Sequence, residues 1–406
     1  MQALEQSIQL PCGAVLKNRI AKSAMSEGLA DAAGSPVAKL QHLYRLWADG
    51  GAGLLITGNV MIDARALGEP GNVIVENENH LAALTAWAES GKKNGTHIWP
   101  QLNHPGRQAM SLISKEVVAP SAVPLANLKI LFKGPRALSE IEIQNSIERF
   151  GNAARILKKA GFTGVQLHGA HGYLVSQFLS PLVNQRNDKW GGTLENRMRF
   201  LLDTMKSIRT NVGHDFPVSV KLNSADFQRG GFSESDAEIV CLALSDAKVD
   251  LIELSGGTYE KASMTGIDAK ESTKKREAYF IEFAEGVRSK IKTPLMLTGG
   301  FRSGLAINAA IANHEIDVAG IARPMAIDPD YPNKLISGES IRLELPFVKT
   351  GVDMIDRSSG LEIPWYNAQL ARLAEGKSAD LKMSAWKAGW HLSSKMAAYS
   401  ASKVFA

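Results

Sequence analysis

The 406-residue sequence contains only two cysteines, Cys12 and Cys241. Two thiols cannot hold an iron–sulfur cluster or a four-cysteine zinc site. They also provide no disulfide framework, which fits a reducing compartment. We therefore expect a cytoplasmic protein without a cysteine-bound metal centre.

Long apolar runs are also missing. No stretch of eighteen apolar residues occurs, so we expect no membrane span. The first residues, Met-Gln-Ala-Leu-Glu-Gln, lack a basic segment followed by an apolar one, so we expect no signal peptide. Both absences support the cytoplasmic location.

Charge is not concentrated in any segment. The net charge of +5 comes from lysines and arginines spread along the chain, with no RNA or DNA module signature. We expect no nucleic-acid partner, and anionic small molecules are favoured instead. The chain also lacks an early Gly-x-Gly-x-x-Gly turn, which disfavours a doubly wound open sheet.

Eight short apolar runs recur along the chain, and helical patterns lie between them. The runs are 19–24, 53–57, 96–102, 163–168, 217–222, 250–255, 294–298 and 317–321. The helical patterns lie near 38–49, 78–94, 139–160, 194–211, 233–247, 271–290 and 303–313. Eight strands alternating with helices predict an α/β fold of the (β/α)8 barrel type.

The barrel accounts for most of the chain. We expect residues 1–344 to form it, with a capping insertion at about 103–138 after the third strand. Residues 345–406 form a tail, and within it residues 367–406 alternate apolar residues with lysines. We expect this tail to contain a helix packed on the barrel or on a second subunit, with a membrane anchor as the weaker alternative. A homo-oligomer is therefore possible.

Functional residues in such barrels sit at the carboxyl ends of the strands. The fourth predicted strand ends in His168-Gly-Ala-His-Gly-Tyr173. Neutral imidazoles can hydrogen-bond a ligand oxygen, and a phenol can donate a proton. The two histidines and Tyr173 are therefore candidate catalytic and substrate-binding residues, and a turn with backbone-satisfied histidines is the alternative.

The last two strand ends predict a phosphate site. Gly299 and Gly300 let backbone N–H groups approach a ligand, Ser303 can cap the next helix, and Arg323 supplies a fixed positive charge. In (β/α)8 barrels, phosphate is commonly bound after strands seven and eight.

One long motif consists of the segment 168–181, followed by Asn184, Arg186, Asp188 and the run Trp-Gly-Gly-Thr-Leu-Glu-Asn-Arg that ends at residue 197. This motif resembles the signature of the Old Yellow Enzyme family. These are flavin-dependent ene-reductases, also called NADH:flavin oxidoreductases. The resemblance implies FMN, and the phosphate site and polar strand ends suit this cofactor. The implied FMN contacts are Ser23, Ala24, Met25, Ser26, Asn59, Gln101, Lys221, Gly300, Ala322 and Arg323, to which the phosphate argument adds Gly299. Lys221 stands where arginine is commoner in the family.

The resemblance also implies a reaction. NADH or NADPH reduces FMN, which passes the hydride to the β-carbon of an α,β-unsaturated carbonyl or nitro compound. His168 and His171 hold the activating oxygen, and Tyr173 protonates the α-carbon. Two other functions stay open: a metal-dependent hydrolase with His104, His168 and His171 as ligands, and a flavin-binding protein without catalysis.

Overall fold

Eight parallel strands hydrogen-bond in a closed ring in the computed structural model, each to its neighbour in chain order. The structure describes residues 2–125, 132–258, 277–338, 342–346, 348–352 and 361–404. The strands in the described residues are β1 (Ile8–Gln9), β2 (Val15–Leu16), β3 (Ile20–Lys22), β4 (Leu54–Met61), β5 (Val73–Ile74), β6 (His97–Asn103), β7 (Val118–Ala119), β8 (Arg136–Ala137), β9 (Val165–Gly169), β10 (Val218–Asn223), β11 (Leu251–Ser255), β12 (Leu295–Thr298) and β13 (Val318–Ile321). The barrel consists of β3, β4, β6 and β9 to β13, so the (β/α)8 prediction is confirmed.

Helices follow the barrel strands along the chain. The α-helices in the described residues are α1 (Ala38–Asp49), α2 (Leu81–Gly91), α3 (Glu140–Lys159), α4 (Leu174–Leu179), α5 (Leu194–Val212), α6 (Glu234–Asp246), α7 (Ile281–Arg288), α8 (Gly304–Ala312), α9 (Tyr331–Ile336), α10 (Glu362–Ala374) and α11 (Ala385–Val404). The first half of the helix predicted near 271–290 lies mostly outside the described residues, and its second half corresponds to α7.

Local sequence explains where the long helix α3 begins and ends. Ser139 and Glu142 form a reciprocal capping box at its start. Gly161, with φ +92°, follows its end in a backbone conformation that glycine adopts at little cost. The apolar stripe between these ends, which includes Ile143, Phe150 and Leu157, is buried against the barrel.

The two ends of the barrel differ in character. At the amino end, Ile8, Leu10 and Leu16 of the β1–β2 hairpin pack against apolar barrel residues such as Leu54 and Met296. Burial of these side chains removes apolar surface from water and stabilises the closed ring. Polar side chains are concentrated toward the carboxyl end, which is where the candidate site lies.

The insertion after β6 packs on the carboxyl end of the barrel. It contains the two short parallel strands β7 and β8. The carbonyl group of His104 accepts a hydrogen bond from the N–H of Leu174, and Gln177 donates to the carbonyl of Pro105. These contacts join the start of the insertion to the segment that carries the two predicted histidines.

The C-terminal helices α10 and α11 pack on the barrel of the same chain. Trp365 is 1% exposed, and its indole N–H donates to the carbonyl of Met383 at 2.9 Å. Tyr399 of α11 packs against Met61 and Leu67, beyond the carboxyl end of β4. In the described parts of the chain, no helix is long and apolar enough to cross a membrane. The boundary at residue 345 and the homo-oligomer stay predictions.

We expect Trp365→Ala to lower the free energy of unfolding by about 3–5 kcal/mol, because it deletes a large buried side chain and leaves a cavity. Trp386→Ala is the matched control, since Trp386 is 56% exposed on α11, and it should stay within about 0.5 kcal/mol of the parent protein. Urea unfolding followed by circular dichroism measures both. Equal stability of the two variants would mean that α10 contributes little to the fold.

Candidate active site

The predicted polar residues come together at the carboxyl end of the barrel. Gln101 lies in β6, His168 in β9 and Lys221 in β10, and each is at most 3% exposed. Ser23 follows β3 directly and is fully buried. Buried polar groups need hydrogen-bond or charged partners, and each of these four side chains has one in the structure.

The two histidines and the tyrosine form one cluster. The ring centroids of His168 and Tyr173 are 4.8 Å apart, and those of His168 and His171 are 5.2 Å apart. The N–H of Ala170 donates to Nδ1 of His168 at 3.2 Å. A neutral His168 ring therefore carries its proton on Nε2, where it is available as a donor.

The backbone of His171 lies in the left-handed region, with φ +59°. Two side chains hold it there: Asn223 accepts a hydrogen bond from the N–H of His171, and Gln108 donates to its carbonyl oxygen. The Nε2 atom of His171 lies 2.9 Å from the hydroxyl oxygen of Ser255. The backbone of His171 is thus fixed by Asn223 of β10 and Gln108 of the insertion, and its ring by Ser255 of β11.

Both histidines are neutral at physiological pH. Burial holds the pKa of His168 well below its ordinary value, and the neighbouring His171 and Lys221 lower it further. Burial and the Lys221 charge have the same effect on the pKa of His171. Neutral imidazoles can donate a hydrogen bond to a ligand oxygen without giving up a proton.

Tyr173 is linked to the residues that end β4. The side-chain nitrogen of Asn59 lies 3.4 Å from the hydroxyl oxygen of Tyr173 and 3.3 Å from that of Ser26. An irregularity in the β4–β6 register precedes Asn59, and a Cβ atom at Gly58 would collide with Glu27 and the carbonyl of Met25. Glycine at position 58 therefore permits the backbone path that sets the position of Asn59.

Lys221 is paired with a carboxylate that the sequence analysis missed. Its ammonium lies 2.9 Å from Glu253, and both side chains are almost completely buried. The two residues are register partners on β10 and β11. Glu253 also accepts from Gln166 at 2.8 Å and from Thr298 at 2.7 Å. The available sequence signal for this carboxylate was its position inside the apolar part of the run Asp-Leu-Ile-Glu-Leu-Ser.

The predicted FMN contacts Ser23 and Gln101 join this network. Gln101 donates to Gln166 at 2.7 Å, and the hydroxyl groups of Ser23 and Thr298 are 2.6 Å apart. Ala24 and Met25 are partly buried and follow Ser23 at the rim of the barrel. Their apolar side chains offer a surface for a flat ring rather than a hydrogen bond.

The predicted phosphate residues lie after β12 and β13. Gly299 and Gly300 have φ values of +132° and +100°, and a Cβ atom at Gly300 would collide with the carbonyl of Glu277. Ala322 and Arg323 follow β13, and the Arg323 side chain is 24% exposed. A glycine cradle beside a largely buried guanidinium fits the phosphate of FMN.

Two carboxylates that the sequence analysis missed lie in this region. Glu277 accepts from the N–H groups of Arg302 and Ser303 at 2.7 and 3.0 Å, and Ser303 caps α8 as predicted. Glu362 of α10 lies 2.8 Å from the Arg323 guanidinium. The N–H groups of Arg302 and Ser303, just before α8, are therefore already satisfied. This leaves the Gly299–Gly300 segment, and the guanidinium N–H groups of Arg323 other than the one that donates to Glu362, for a phosphate.

His104, the third ligand in the alternative of a metal-dependent hydrolase, is hydrogen-bonded to the backbone of its own loop. The N–H of Gly106 donates to Nδ1 of His104 at 3.0 Å. Burial lowers the pKa of His104 to about 4, against the opposing charge of Asp63. Among the residues that the structure describes, no three His, Cys, Asp or Glu side chains are grouped as metal ligands.

Comparison with solved structures places this barrel among Old Yellow Enzyme homologues. A homologue from Zymomonas mobilis superposes with a TM-score of 0.72 at 25% identity, over 84% of this chain and 94% of the other. A 2-naphthoyl-CoA reductase complex gives a TM-score of 0.77 at 27% identity, over 83% of this chain. That alignment covers 52% of the reductase chain, so this chain spans about half its length.

Sequence comparison then fixes the family. The model of the NADH:flavin oxidoreductase / NADH oxidase family matches residues 8–341, and the chain belongs to this family. An NADH-dependent flavin oxidoreductase, iliE of Hypocrea jecorina, is 36% identical over 89% of this chain and 94% of its own length. The family confirms FMN and a nicotinamide nucleotide as the cofactors.

We expect Lys221→Met to lower the free energy of unfolding of the apoprotein by about 3–5 kcal/mol, because it leaves Glu253 buried without its cation. Adding Glu253→Gln should recover most of the loss. Lys290→Met, which breaks the exposed pair with Glu238, is the control and should cost no more than about 1 kcal/mol. Urea unfolding measures all three, and a failure of Glu253→Gln to compensate would contradict the pairing.

Proposed function

We propose that the protein is an FMN-dependent ene-reductase that uses NADH or NADPH to reduce the C=C bond of an α,β-unsaturated carbonyl or nitro compound. The observation that carries this proposal is the cluster of His168, His171 and Tyr173 at the end of β9. Two neutral N–H donors beside a phenol suit a substrate oxygen that gains negative charge.

The residues at the rim of the barrel would hold FMN. The Gly299–Gly300 segment, Ala322 and Arg323 would receive its phosphate, and Gln101 and Lys221 would meet the polar edge of its ring. Ser23, Ala24, Met25, Ser26 and Asn59 would complete the cofactor contacts. FMN would serve as the hydride carrier between the nicotinamide and the β-carbon of the substrate.

His168 and His171 would bind the activating oxygen of the substrate. The Nε2 proton of His168 is free to donate, since Nδ1 already accepts from the backbone. The hydrogen bonds strengthen as the oxygen acquires enolate charge, so they stabilise the transition state more than the bound substrate. Because both rings are neutral, this binding should not depend on a histidine protonation between pH 6 and 8.

Tyr173 would deliver the proton to the α-carbon. Tyr173 is buried, 5% exposed, and the amide nitrogen of Asn59 faces its hydroxyl oxygen. A donor that faces the phenol oxygen stabilises the negative charge that remains on it after proton transfer.

We expect Arg323→Ala to weaken FMN binding by about 10- to 150-fold. One charge-assisted phosphate contact is worth about 1.5–3 kcal/mol. Fluorescence titration of the apoprotein measures the dissociation constant. Arg155→Ala, which removes an exposed guanidinium on α3, should leave it unchanged. Release of FAD instead of FMN on denaturation, or undiminished binding by Arg323→Ala, would contradict the assignment.

We expect Tyr173→Phe to slow the reduction of cyclohexenone by a factor of about 10²–10⁴, because the variant removes only the proton donor. Reduction of the protein-bound flavin by NAD(P)H should be nearly unchanged. Nitroalkenes should suffer less, since a nitronate can leave the enzyme and take its proton from water. Stopped-flow absorbance separates the two half-reactions.

The phenol p-hydroxybenzaldehyde tests binding apart from proton transfer. Its phenolate resembles the enolate oxygen, so its charge-transfer band with the flavin should persist in Tyr173→Phe and disappear when His168 and His171 are both alanine. Loss of the band in Tyr173→Phe, with enone turnover intact, would contradict the roles assigned here. Absence of enone turnover in the parent protein, despite reduction by NAD(P)H, would contradict the ene-reductase proposal itself.

A further inference from the structure

The carboxylate of Glu253 is the common end of two hydrogen-bond chains inside the barrel. Its oxygens lie 2.8 Å from the amide nitrogen of Gln166 and 2.7 Å from the hydroxyl oxygen of Thr298. The ammonium of Lys221 lies 2.9 Å away, and Glu253 is completely buried. A carboxylate paired with an ammonium can accept hydrogen bonds but has no proton to donate. Each of these three groups must therefore direct a proton at Glu253.

This requirement sets the orientation of two amide groups. The nitrogen of Gln166 has to face Glu253, because its oxygen would place two acceptors 2.8 Å apart without a proton between them. The oxygen of Gln166 then faces Gln101, whose amide nitrogen lies 2.7 Å from it. The reverse orientation of Gln101 would again bring two oxygens together. The amide oxygen of Gln101 is consequently left for another donor, and no group in the described parts of the chain donates to it.

The second chain runs through a pair of hydroxyl groups. Thr298 has one hydroxyl proton, and Glu253 receives it. Ser23, whose hydroxyl oxygen lies 2.6 Å from that of Thr298, must therefore be the donor in that contact. Ser23 follows β3 directly and is fully buried. Both chains thus direct protons inward to Glu253, and the side-chain oxygens of Gln101 and Ser23 keep lone pairs for a ligand.

An amide oxygen in this place selects one atom of the cofactor. The oxidised flavin ring has a single N–H group, at N3 of its polar edge, between two carbonyl oxygens. We propose that Glu253 is a positioning residue for FMN: because it can only accept, it directs the protons of Gln166 and Gln101 inward and so presents the Gln101 amide oxygen to the flavin N3–H. The inference rests on the FMN site proposed above, and Glu253 acts in it through Gln166 and Gln101.

An FMN analogue methylated at N3 isolates this hydrogen bond, because it has no N3–H to donate. We expect Gln166→Met, which interrupts the chain and keeps the Lys221–Glu253 pair, to weaken FMN binding by the apoprotein about two- to tenfold, the worth of one hydrogen bond. Binding of 3-methyl-FMN should be unchanged. Fluorescence titration measures both dissociation constants. An equal weakening of both flavins, or no weakening of either, would overturn the inference.

Glu253→Gln tests the carboxylate itself. The new amide can donate as well as accept, so Gln166 and Gln101 are free to reverse and to present the Gln101 nitrogen to N3–H. We expect FMN to lose affinity relative to 3-methyl-FMN, whereas a change common to both flavins cancels in the ratio of their dissociation constants. In a protein that already carries Gln101→Met, Glu253→Gln should change this ratio no further.

Thr298→Val is the matched control, because it interrupts only the chain that ends at Ser23. It should leave the ratio of the two dissociation constants as in the parent protein. A ratio that changes as much in Thr298→Val as in Gln166→Met, or that stays constant in Glu253→Gln, would assign Glu253 a structural role only and overturn the inference.

The N3–H signal of bound FMN gives a readout that does not depend on the analogue. With isotope-labelled FMN in the parent protein, we expect the N3–H proton to resonate downfield of its position in Gln166→Met and Glu253→Gln and to exchange more slowly with water. The same signal in all three proteins would contradict the role of Glu253. FMN binding by the parent protein is measured first, so a failure of the FMN site is recognised before the variants are compared. Neither readout requires enone turnover.

Discussion

The carboxylate of Glu253 is the contact on which the carboxyl end of the barrel depends. It neutralises Lys221 and accepts from Gln166 and Thr298, which in turn bind Gln101 and Ser23. One buried group thus links side chains from β6, β9, β10, β11 and β12 with the residue that follows β3. An unpaired charge inside a barrel would be costly, so the network explains how so many polar groups can be buried here. Burial is the main reason that the pKa values of both histidines are lowered, and the charge of Lys221, held in this way, acts in the same direction.

The architecture could be predicted from the sequence because it depends on local signals. Each barrel strand is a short apolar run, and turn residues and helical periodicity separate one run from the next. The parallel arrangement then brings all the carboxyl ends to one rim, so His168, Lys221 and Arg323 were placed together without any knowledge of contacts. The motif at 168–173 was found for the same reason, since all its members are close in sequence.

The site residues that the sequence did not predict have partners far away along the chain. Glu253 meets Lys221 across neighbouring strands, and Glu362 meets Arg323 from the C-terminal segment. Glu253 does carry a local signal, its place inside an apolar run, whereas nothing in the local composition distinguishes Glu362 from a glutamate on a solvated helix face. The partner of Glu253 is decided by the register of two barrel strands, and that of Glu362 by how α10 packs. Packing depends on shape complementarity that no local pattern encodes.

The left-handed backbone of His171 limits how this position can vary. Glycine and asparagine adopt φ near +60° with little strain, whereas β-branched and bulky side chains do so at a clear cost. Of these two, only asparagine also carries a side-chain N–H that can donate toward the site. Asparagine is therefore the substitution that keeps both the loop and a hydrogen-bond donor. The backbone conformation, as well as the hydrogen-bonding chemistry, therefore limits which residue types can replace His171.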